Sequence, residues 1–272
     1  PVEPFAPANP LMMFAGALTG SRAPYSGRTS VCSFSPQGYP HPWFTRSNVG
    51  GFFGGELKRA GYDGLVVTGA AERPVRIRVR DDDLSILPAE ELWGLDAMDA
   101  LAALESAEGR GVRSMVIGPA GERLSRIATI QTASSSACGQ GGFGAVMGSK
   151  KLKAVTVAGS GRVPLAHPET ITSIARTLVH MFAEDGFGGP MNFYGDIEKF
   201  SQQLTADGNG RATCNACTEG CITPCAAYVH ELSGRVYDRK WSGNWVCVGT
   251  RFEGFDPGDL SPHRSIYDWQ LD

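Results

Sequence analysis

The sequence predicts an α+β chain, with a β-sheet-rich N-terminal part followed by the start of a mainly helical one. Three observations carry that prediction. Short apolar and β-branched runs, each bounded by Gly, Pro or Asp, concentrate before residue 161. Beyond it, Ile171, Ile174, Leu178 and Met181 recur at spacings of three and four, the period of one helix face. Between the two parts stands Gly159-Ser160-Gly161, which interrupts any regular element. The expected domains are therefore 1–161 and 162–272.

In chain order, strands are predicted at 11–15, 29–34, 64–68, 75–79, 113–117, 126–132 and 154–158, where apolar residues cluster between turn formers. Helices are predicted at 54–60, 97–107 and near 144–148, then at 167–184 and around 196–204. Asp81-Asp82-Asp83 reads as a solvated turn, and no internal repeat or low-complexity tract is present.

The 35 Gly and 17 Pro among 272 residues exceed the roughly 12% these two types usually contribute together. A fibre is excluded by the lack of a Gly-X-Y period, and disorder by a hydrophobic fraction of 42%. No window approaches the roughly 18 to 20 apolar residues of a membrane span, so no membrane partner is expected. With Lys+Arg 25 against Asp+Glu 28 and no basic stripe, nucleic acid is not an expected partner. The charged fraction of 19% lies below the usual ~25%, which suits a surface that faces a ligand, a partner or more chain. A first residue Pro1, no secretory signal pattern and an end at Trp269-Gln270-Leu271-Asp272 lead us to expect a fragment.

Seven cysteines occur, an odd number that does not suit a disulfide framework. Cys214, Cys217, Cys221 and Cys225 form a C-x2-C-x3-C-x3-C run. An i,i+4 step on a helix is expected to return Cys221 to the face of Cys217, so that three thiolates gather. Iron–sulfur ligation, zinc completed by Cys225 or His230, and unliganded core thiols all remain open on spacing alone. Cys32 and Cys247 read as small buried residues.

Two segments, 47–58 and 134–150, concentrate the glycine, and each runs from a loop into a predicted helix start. Free N–H groups there favour an anion such as phosphate, and a residue without Cβ lets backbone approach a ligand. Tight turns and close helix packing explain the same glycines equally well. Neither segment is a Walker loop or a G-x-G-x-x-G fingerprint.

Six blocks together resemble the aldehyde ferredoxin oxidoreductase family. They are Asn9-Pro10-Leu11 with Gly16-Ala17-Leu18-Thr19-Gly20; Ser26-Gly27-Arg28; the run from Asn48-Val49-Gly50-Gly51 to Tyr62-Asp63-Gly64; Ile117-Gly118-Pro119-Ala120-Gly121-Glu122; the run from Gly144-Ala145-Val146 to Lys153-Ala154-Val155; and the Cys214/Cys217/Cys221 triplet. Their order and approximate separation agree with the family from residue 1 to about 225. The resemblance implies a tungsten or molybdenum enzyme whose metal is held by two pyranopterins (a bis-pyranopterin cofactor). A [4Fe-4S] cluster would pass electrons to ferredoxin or a ferredoxin-like electron-transfer subunit. Domain 1–161 would then be the pterin-binding domain, and 162–272 the beginning of an iron–sulfur and substrate domain.

By motif position, the resemblance assigns the pterin phosphates and a bridging magnesium ion to Arg28, Asn48, Gly50 and Ala137, with Gly51 and Gly139 beside them in the two loops. The residue types suit those tasks. Arg28 offers a fork of donors to phosphate, and Asn48 offers a neutral oxygen to a hard cation, as does the Ala137 carbonyl. In isolation Arg28 would be a surface charge and Asn48 a helix cap; the joint pattern reverses both readings. Cys214, Cys217 and Cys221 would be three cluster ligands, with a fourth Cys and the catalytic acid/base expected beyond Asp272, and Cys225 structural.

Two departures concern the substrate. Ser136 stands where the aldehyde-oxidising branch has a basic residue, and the 237–245 stretch carries Asp238 but no Glu. The Ser-Ser-Ala type of loop and the opening 2–9 segment look closer to the tungsten subunit of class II benzoyl-coenzyme A reductases. The expected function is oxidation of a small-molecule aldehyde to a carboxylic acid. A ring-reducing subunit of the same family is the alternative, and a zinc-stapled structural protein is the alternative of another class. A cytoplasmic, anaerobic setting is expected, and the resemblance leaves room for a homodimer.

Overall fold

Side chains at 11, 13, 29, 31, 33 and 47 are buried while their neighbours in sequence are not, so the period of two that defines a half-covered sheet is built into the first fifty residues. The computed structural model describes residues 2–21, 23–38, 40–133, 136–184, 193–206, 208–222, 226–233 and 240–246. The chain divides into two units, Pro1–Thr172 with Thr218–Gly220, and Ser173–Cys217 with Cys221–Asp272.

The first unit contains, in order, β1 (Leu11–Ala15), β2 (Thr29–Phe34), β3 (Phe44–Val49), α1 (Phe53–Arg59), β4 (Gly64–Val67), β5 (Val75–Arg80), β6 (Asp83–Pro88), α2 (Ala97–Glu108), β7 (Arg113–Val116), α3 (Pro119–Glu122), β8 (Ile130–Thr132), β9 (Ala137–Cys138), α4 (Phe143–Ser149) and β10 (Leu152–Ala158). Strands β3-β2-β1-β4 form an antiparallel sheet, and β6-β5-β10-β7-β8-β9 form a second sheet in which only β10 and β5 run parallel. Helices α1 and α4 pack against strands of both sheets. The main core joins Met13 and Val31 of one sheet to Val79 and Val155 of the other through Phe53, Leu57, Phe143 and Met147. Each of these fully buried aromatic or aliphatic side chains contributes about 1.5 to 3 kcal/mol. Helix α2 covers the far side of the six-stranded sheet with Leu101 and Leu104, and its first turn is capped by the Asp96 carboxylate, which accepts from Asp99 N–H at 2.8 Å.

Two sequence expectations needed the third dimension. The predicted strand at 126–132 shrinks to Ile130–Thr132, because Ala128 N–H closes a turn onto the Ser125 carbonyl at 2.8 Å. Conversely 44–49, read as the approach to a glycine loop, is the edge strand β3: its Thr45, Arg46, Ser47 and Asn48 weaken the apolar signal but not the register, which runs unbroken from Thr29↔Val49 to Phe34↔Phe44.

In the chain beyond 161, α5 (Pro168–Glu184) leads into α6 (Phe193–Ala206), as the apolar spacing predicts. The second unit also holds an antiparallel sheet of β11 (Arg211–Asn215), β12 (Ala226–Ser233) and β13 (Lys240–Val246), which no periodicity in the sequence announces. Its core gathers Ile197 and Leu204 of α6 with Ala212, Ala227, Val229 and Leu232. No helix among the described residues is long and apolar enough to cross a membrane.

Candidate cofactor platform

Alternation along the four-stranded sheet leaves one face without a covering layer among the described residues. Its register sets two rows of side chains across that face: Asn48, Ser30, Phe14 and Gly64 in one, Arg46, Cys32, Met12 and Val66 in the other. Phe14 and Val66 remain 40% and 57% exposed although both are apolar, so this half of the face is solvated hydrophobic surface. Gly64 allows it, because a Cβ there would overlap the Phe14 ring. The other half is polar. Ser30 Oγ donates to Asn48 Oδ1 at 2.8 Å, and Arg46 is exposed beside Cys32. Burial pushes the Cys32 thiol up, and the Arg46 guanidinium pulls it down. Arg28, also exposed, lies just before the first residue of β2. Neither Arg28 nor Arg46 makes an ion pair among the described residues.

The two glycine loops meet beside this face, at Ser47. Ser47 Oγ accepts from Gln140 N–H at 3.3 Å and bonds the buried Cys138 thiol, whose pKa burial raises to about 11. Gly141 is fixed at both ends of its peptide unit: its N–H donates to Gln37 Oε1 at 2.9 Å and its carbonyl accepts from Ser35 Oγ at 2.9 Å. Asn48 is therefore brought next to the strand pair that carries Ala137 and leads into Gly139. This adjacency is invisible in the sequence, where 48 and 137 are far apart.

The glycines divide by cause. Gly51 (φ +91°), Gly141 (φ +82°) and Gly142 (φ +63°) hold left-handed backbone. Gly54 faces Thr29 Oγ1, which a Cβ would approach to 2.6 Å; Gly144 and Gly148 lie against the backbones of Ala128 and Gly121. Gly50 is buried. Gly139 differs from all of them: a Cβ there would meet nothing within 4 Å, and no left-handed φ requires it. Moreover α1 and α4 are only seven residues each, and the Gly144 N–H at the start of α4 already donates to the Ala128 carbonyl at 3.0 Å. The α4 start is thus internally satisfied, and open backbone is found at Gly139 instead.

Cys214 lies on β11 opposite Ala227, Cys217 in the bend after it, and Cys221 beyond a turn. No helix links Cys217 to Cys221. Gly220 at φ +68° reverses the chain, and Thr218 forms an isolated parallel bridge with Gly51, so the expected helical i,i+4 return is replaced by a turn. The three thiols are partly exposed and none is spent in a disulfide; burial raises the Cys214 pKa. Among the described residues no three His, Cys, Asp or Glu side chains gather around a single metal ion. In kind and exposure the donors suit the cluster. Cys225, Asp238 and Cys247 lie outside the described residues. Ser30, Arg46 and Ser47 are additions that only the β3 register reveals.

The first unit thus presents exposed Arg46 and Asn48 and exposed apolar Phe14 and Val66 on one sheet face, with two interlocked glycine loops at its edge, features that a flat, anion-bearing ligand would need. Residues 1–159 match the family described as aldehyde ferredoxin oxidoreductase, N-terminal domain. The chain is 42% identical over 196 residues to a tungsten-containing aldehyde ferredoxin oxidoreductase of Pyrococcus furiosus, a stretch covering 71% of this chain and 32% of that protein. It is 36% identical over 177 residues to an aliphatic sulfonate oxidoreductase, WOR-like subunit, of the same organism, covering 60% of this chain and 27% of that one. Among solved structures, the active site complex BamBC of benzoyl coenzyme A reductase matches with a TM-score of 0.75 at 26% identity, over 90% of this chain and 42% of that chain. The chain belongs to the aldehyde ferredoxin oxidoreductase family, a family of oxidoreductases, and the stretch it shares with the first relative is 32% of that protein's length.

Proposed function

We propose that this chain supplies the cofactor floor of a tungsten- or molybdenum-pterin oxidoreductase that converts an aldehyde and water to a carboxylic acid, two protons and two electrons. The observation that carries this reading is the open sheet face, where Ser30, Arg46 and Asn48 share one side with Met12, Phe14 and Val66, with exposed Arg28 just before β2. Arg28 and Arg46 would hold the pterin phosphates through their planar donor forks. Ser30 would steady the Asn48 amide, whose oxygen keeps a second lone pair for magnesium; the Ala137 carbonyl would be its other ligand from this chain. Gly50, Gly51 and Gly139 would admit the cofactor to bare backbone. The apolar half would exclude water from the pterin's flat surface.

Cys214, Cys217 and Cys221 would hold three irons of a [4Fe-4S] cluster, the fourth ligand and the catalytic acid/base being supplied by the length of the relatives that this chain does not cover. When bound, the pterin-held metal and the cluster supply two-electron oxidation and one-electron onward transfer to ferredoxin or a ferredoxin-like subunit. In this reading 1–161 is the pterin domain and 162–272 opens the iron–sulfur and substrate domain, in a reducing cytoplasm. A second reading, ring reduction of an aromatic thioester, draws support from Ser136 and from the 90% coverage by the benzoyl coenzyme A reductase complex.

The test is metal analysis of the full-length protein purified without air, followed by assays on aldehydes with a viologen acceptor. Zinc without iron, tungsten or molybdenum would end the redox reading. Tungsten and iron with silence on every aldehyde, but reduction of an aromatic thioester, would select the second.

A further inference from the structure

The tripeptide Thr218–Gly220 is counted with the first unit, whereas the residues on either side of it, Cys217 and Cys221, are counted with the second. Each of its three residues is tied down. Thr218 bridges Gly51, and its side chain lies so close to Gly27 that a Cβ there would come within 2.7 Å. The Gly220 carbonyl accepts from Tyr25 N–H at 3.4 Å. Glu219 makes the strongest contact: its Oε1 accepts from Arg59 Nη2 at 2.6 Å and its Oε2 from Arg59 Nη1 at 3.3 Å, a two-pronged charge-assisted pair. The pair is only 27% and 20% exposed, so solvent screens it less than a rim salt bridge.

Arg59 is itself held from the other side. Its Nε and Nη2 donate to Glu56 Oε2 at 3.0 and 2.8 Å, and Glu56 Oε1 accepts from Gly159 N–H at 2.9 Å. The guanidinium is thus locked on α1 before Glu219 meets it. Gly55 completes the seat, since a Cβ at that position would strike the Glu219 carboxylate. A loop that merely crosses a surface does not need a glycine, a fixed arginine and a two-point carboxylate at one spot.

We propose that Glu219, clasped by Arg59 over Gly55, is a positioning residue for the cluster-binding segment: it pins the peptide between two ligand cysteines and so limits the freedom of the thiolates joined to it through the chain. The proposal rests on the cluster reading of Cys214, Cys217 and Cys221. It takes nothing from the chemistry of the substrate. Losing a two-point charged contact while leaving Arg59 with Glu56 raises the opening frequency of the segment, so cluster loss should accelerate about tenfold.

The experiment uses the full-length holoenzyme and its Glu219→Asp, Glu219→Gln and Glu219→Ala variants. Asp83→Asn, which removes the exposed Arg78–Asp83 pair, serves as a control for loss of any surface ion pair. Iron and labile sulfide are followed during timed exposure to a chelator. The electron paramagnetic resonance spectrum and midpoint potential of the reduced cluster are recorded beside the unfolding temperature. The expected result is faster iron loss and an altered spectrum for Gln and Ala, partial recovery in Asp, and wild-type behaviour in Asp83→Asn. Wild-type iron retention, spectrum and potential in Glu219→Ala overturn the clasp while leaving the cluster reading standing. A lowered unfolding temperature with unchanged spectrum and potential would make the pair plain structural support and also overturn it. A wild-type protein without iron removes the cluster reading and the clasp together.

Discussion

Replacing Gly139 by alanine separates ligand space from packing space, and Gly144→Ala is its natural counterpart. At Gly139 a new methyl meets nothing within 4 Å and the backbone needs no left-handed conformation, so stability should change by no more than about 0.5 kcal/mol. At Gly144 the methyl would sit 2.8 Å from the Ala128 carbonyl carbon and 2.9 Å from its oxygen, with Thr129 O closer still. The neighbour is backbone, which cannot swing aside; overpacking of this kind costs about 1 to 3 kcal/mol. For a unit of this size, a loss of about 2 kcal/mol lowers the unfolding temperature by roughly 4 to 8 °C, against about 2 °C or less for Gly139→Ala. Cofactor content should show the opposite order. On the proposed reading the Gly139 methyl would meet the pterin and should weaken retention at least about tenfold, or about 1.4 kcal/mol. Differential scanning of cofactor-stripped protein measures the first effect. Metal content after gel filtration, with fluorescence of the oxidised pterin, measures the second. A Gly139→Ala protein that keeps its full cofactor load refutes the reasoning, and so does one that melts as early as Gly144→Ala.

Three further outcomes follow from the same geometry. Arg46→Ala, which removes an exposed guanidinium without an ion pair, should lower pterin occupancy several-fold while shifting stability by no more than about 0.5 kcal/mol, read by the same two assays. The Cys138 thiol, raised by burial from the ordinary value near 9 to about 11, favours the folded state in its neutral form. Because the folded state holds that proton more tightly, stability is intact below about pH 9 and falls by about 2 to 3 kcal/mol as pH climbs to about 11; Cys138→Ala should flatten that part of a urea-unfolding profile. Lys153, wholly buried, pairs with Glu122 at 2.5 Å and donates to the Leu95 carbonyl at 2.8 Å, so Lys153→Ala strands a buried carboxylate and should cost about 3 to 5 kcal/mol by denaturant titration, more than Lys153→Met with Glu122→Gln together.

Where local pattern and tertiary packing agree, the sequence is legible. Strands 11–15 and 29–34 are found at their predicted bounds because both alternate cleanly between a covered and an open face. Helices α1, α2 and α4 fall within a residue of their predicted bounds, since caps and core spacing act locally. Edge strand β3 escapes because polar residues occupy both of its sides, Arg46 and Asn48 exposed and Ser47 buried, so apolar alternation carries no signal there. The small sheet after residue 210 escapes for a related reason: Arg211–Asn215 has one buried residue among its five, and its partner strands lie across a turn-rich thiol segment. In the site, glycine content alone marks the two loops and the family resemblance adds Arg28 and Asn48, but Ser30 and Arg46 become site residues only when pairing sets them beside Asn48 and Cys32. The helical link between Cys217 and Cys221 fails because spacing cannot reveal that Thr218 and Glu219 bind to Gly51 and Arg59.

That division also bears on why one platform recurs beside different chemistries. A TM-score of 0.75 at 26% identity means that most side chains of the benzoyl coenzyme A reductase complex differ from those here while the backbone path is kept. A floor can tolerate such change if its ligand surface is made from register and bare backbone, since alternation places the face whatever the exact apolar residue is. The intolerant positions are then those where a single atom is too many: Gly148 against the Gly121 backbone, and Gly55 beneath Glu219. Proteins named for aldehydes, for aliphatic sulfonates and for benzoyl coenzyme A all resemble this chain, which is what a floor shaped by register and bare backbone predicts. Substrate choice should therefore survive exchange of 11–67, the stretch that holds the four-stranded sheet, between two such enzymes, with the reaction following the donor of the remaining chain; a chimera whose substrate follows the floor instead would place specificity in the sheet face itself.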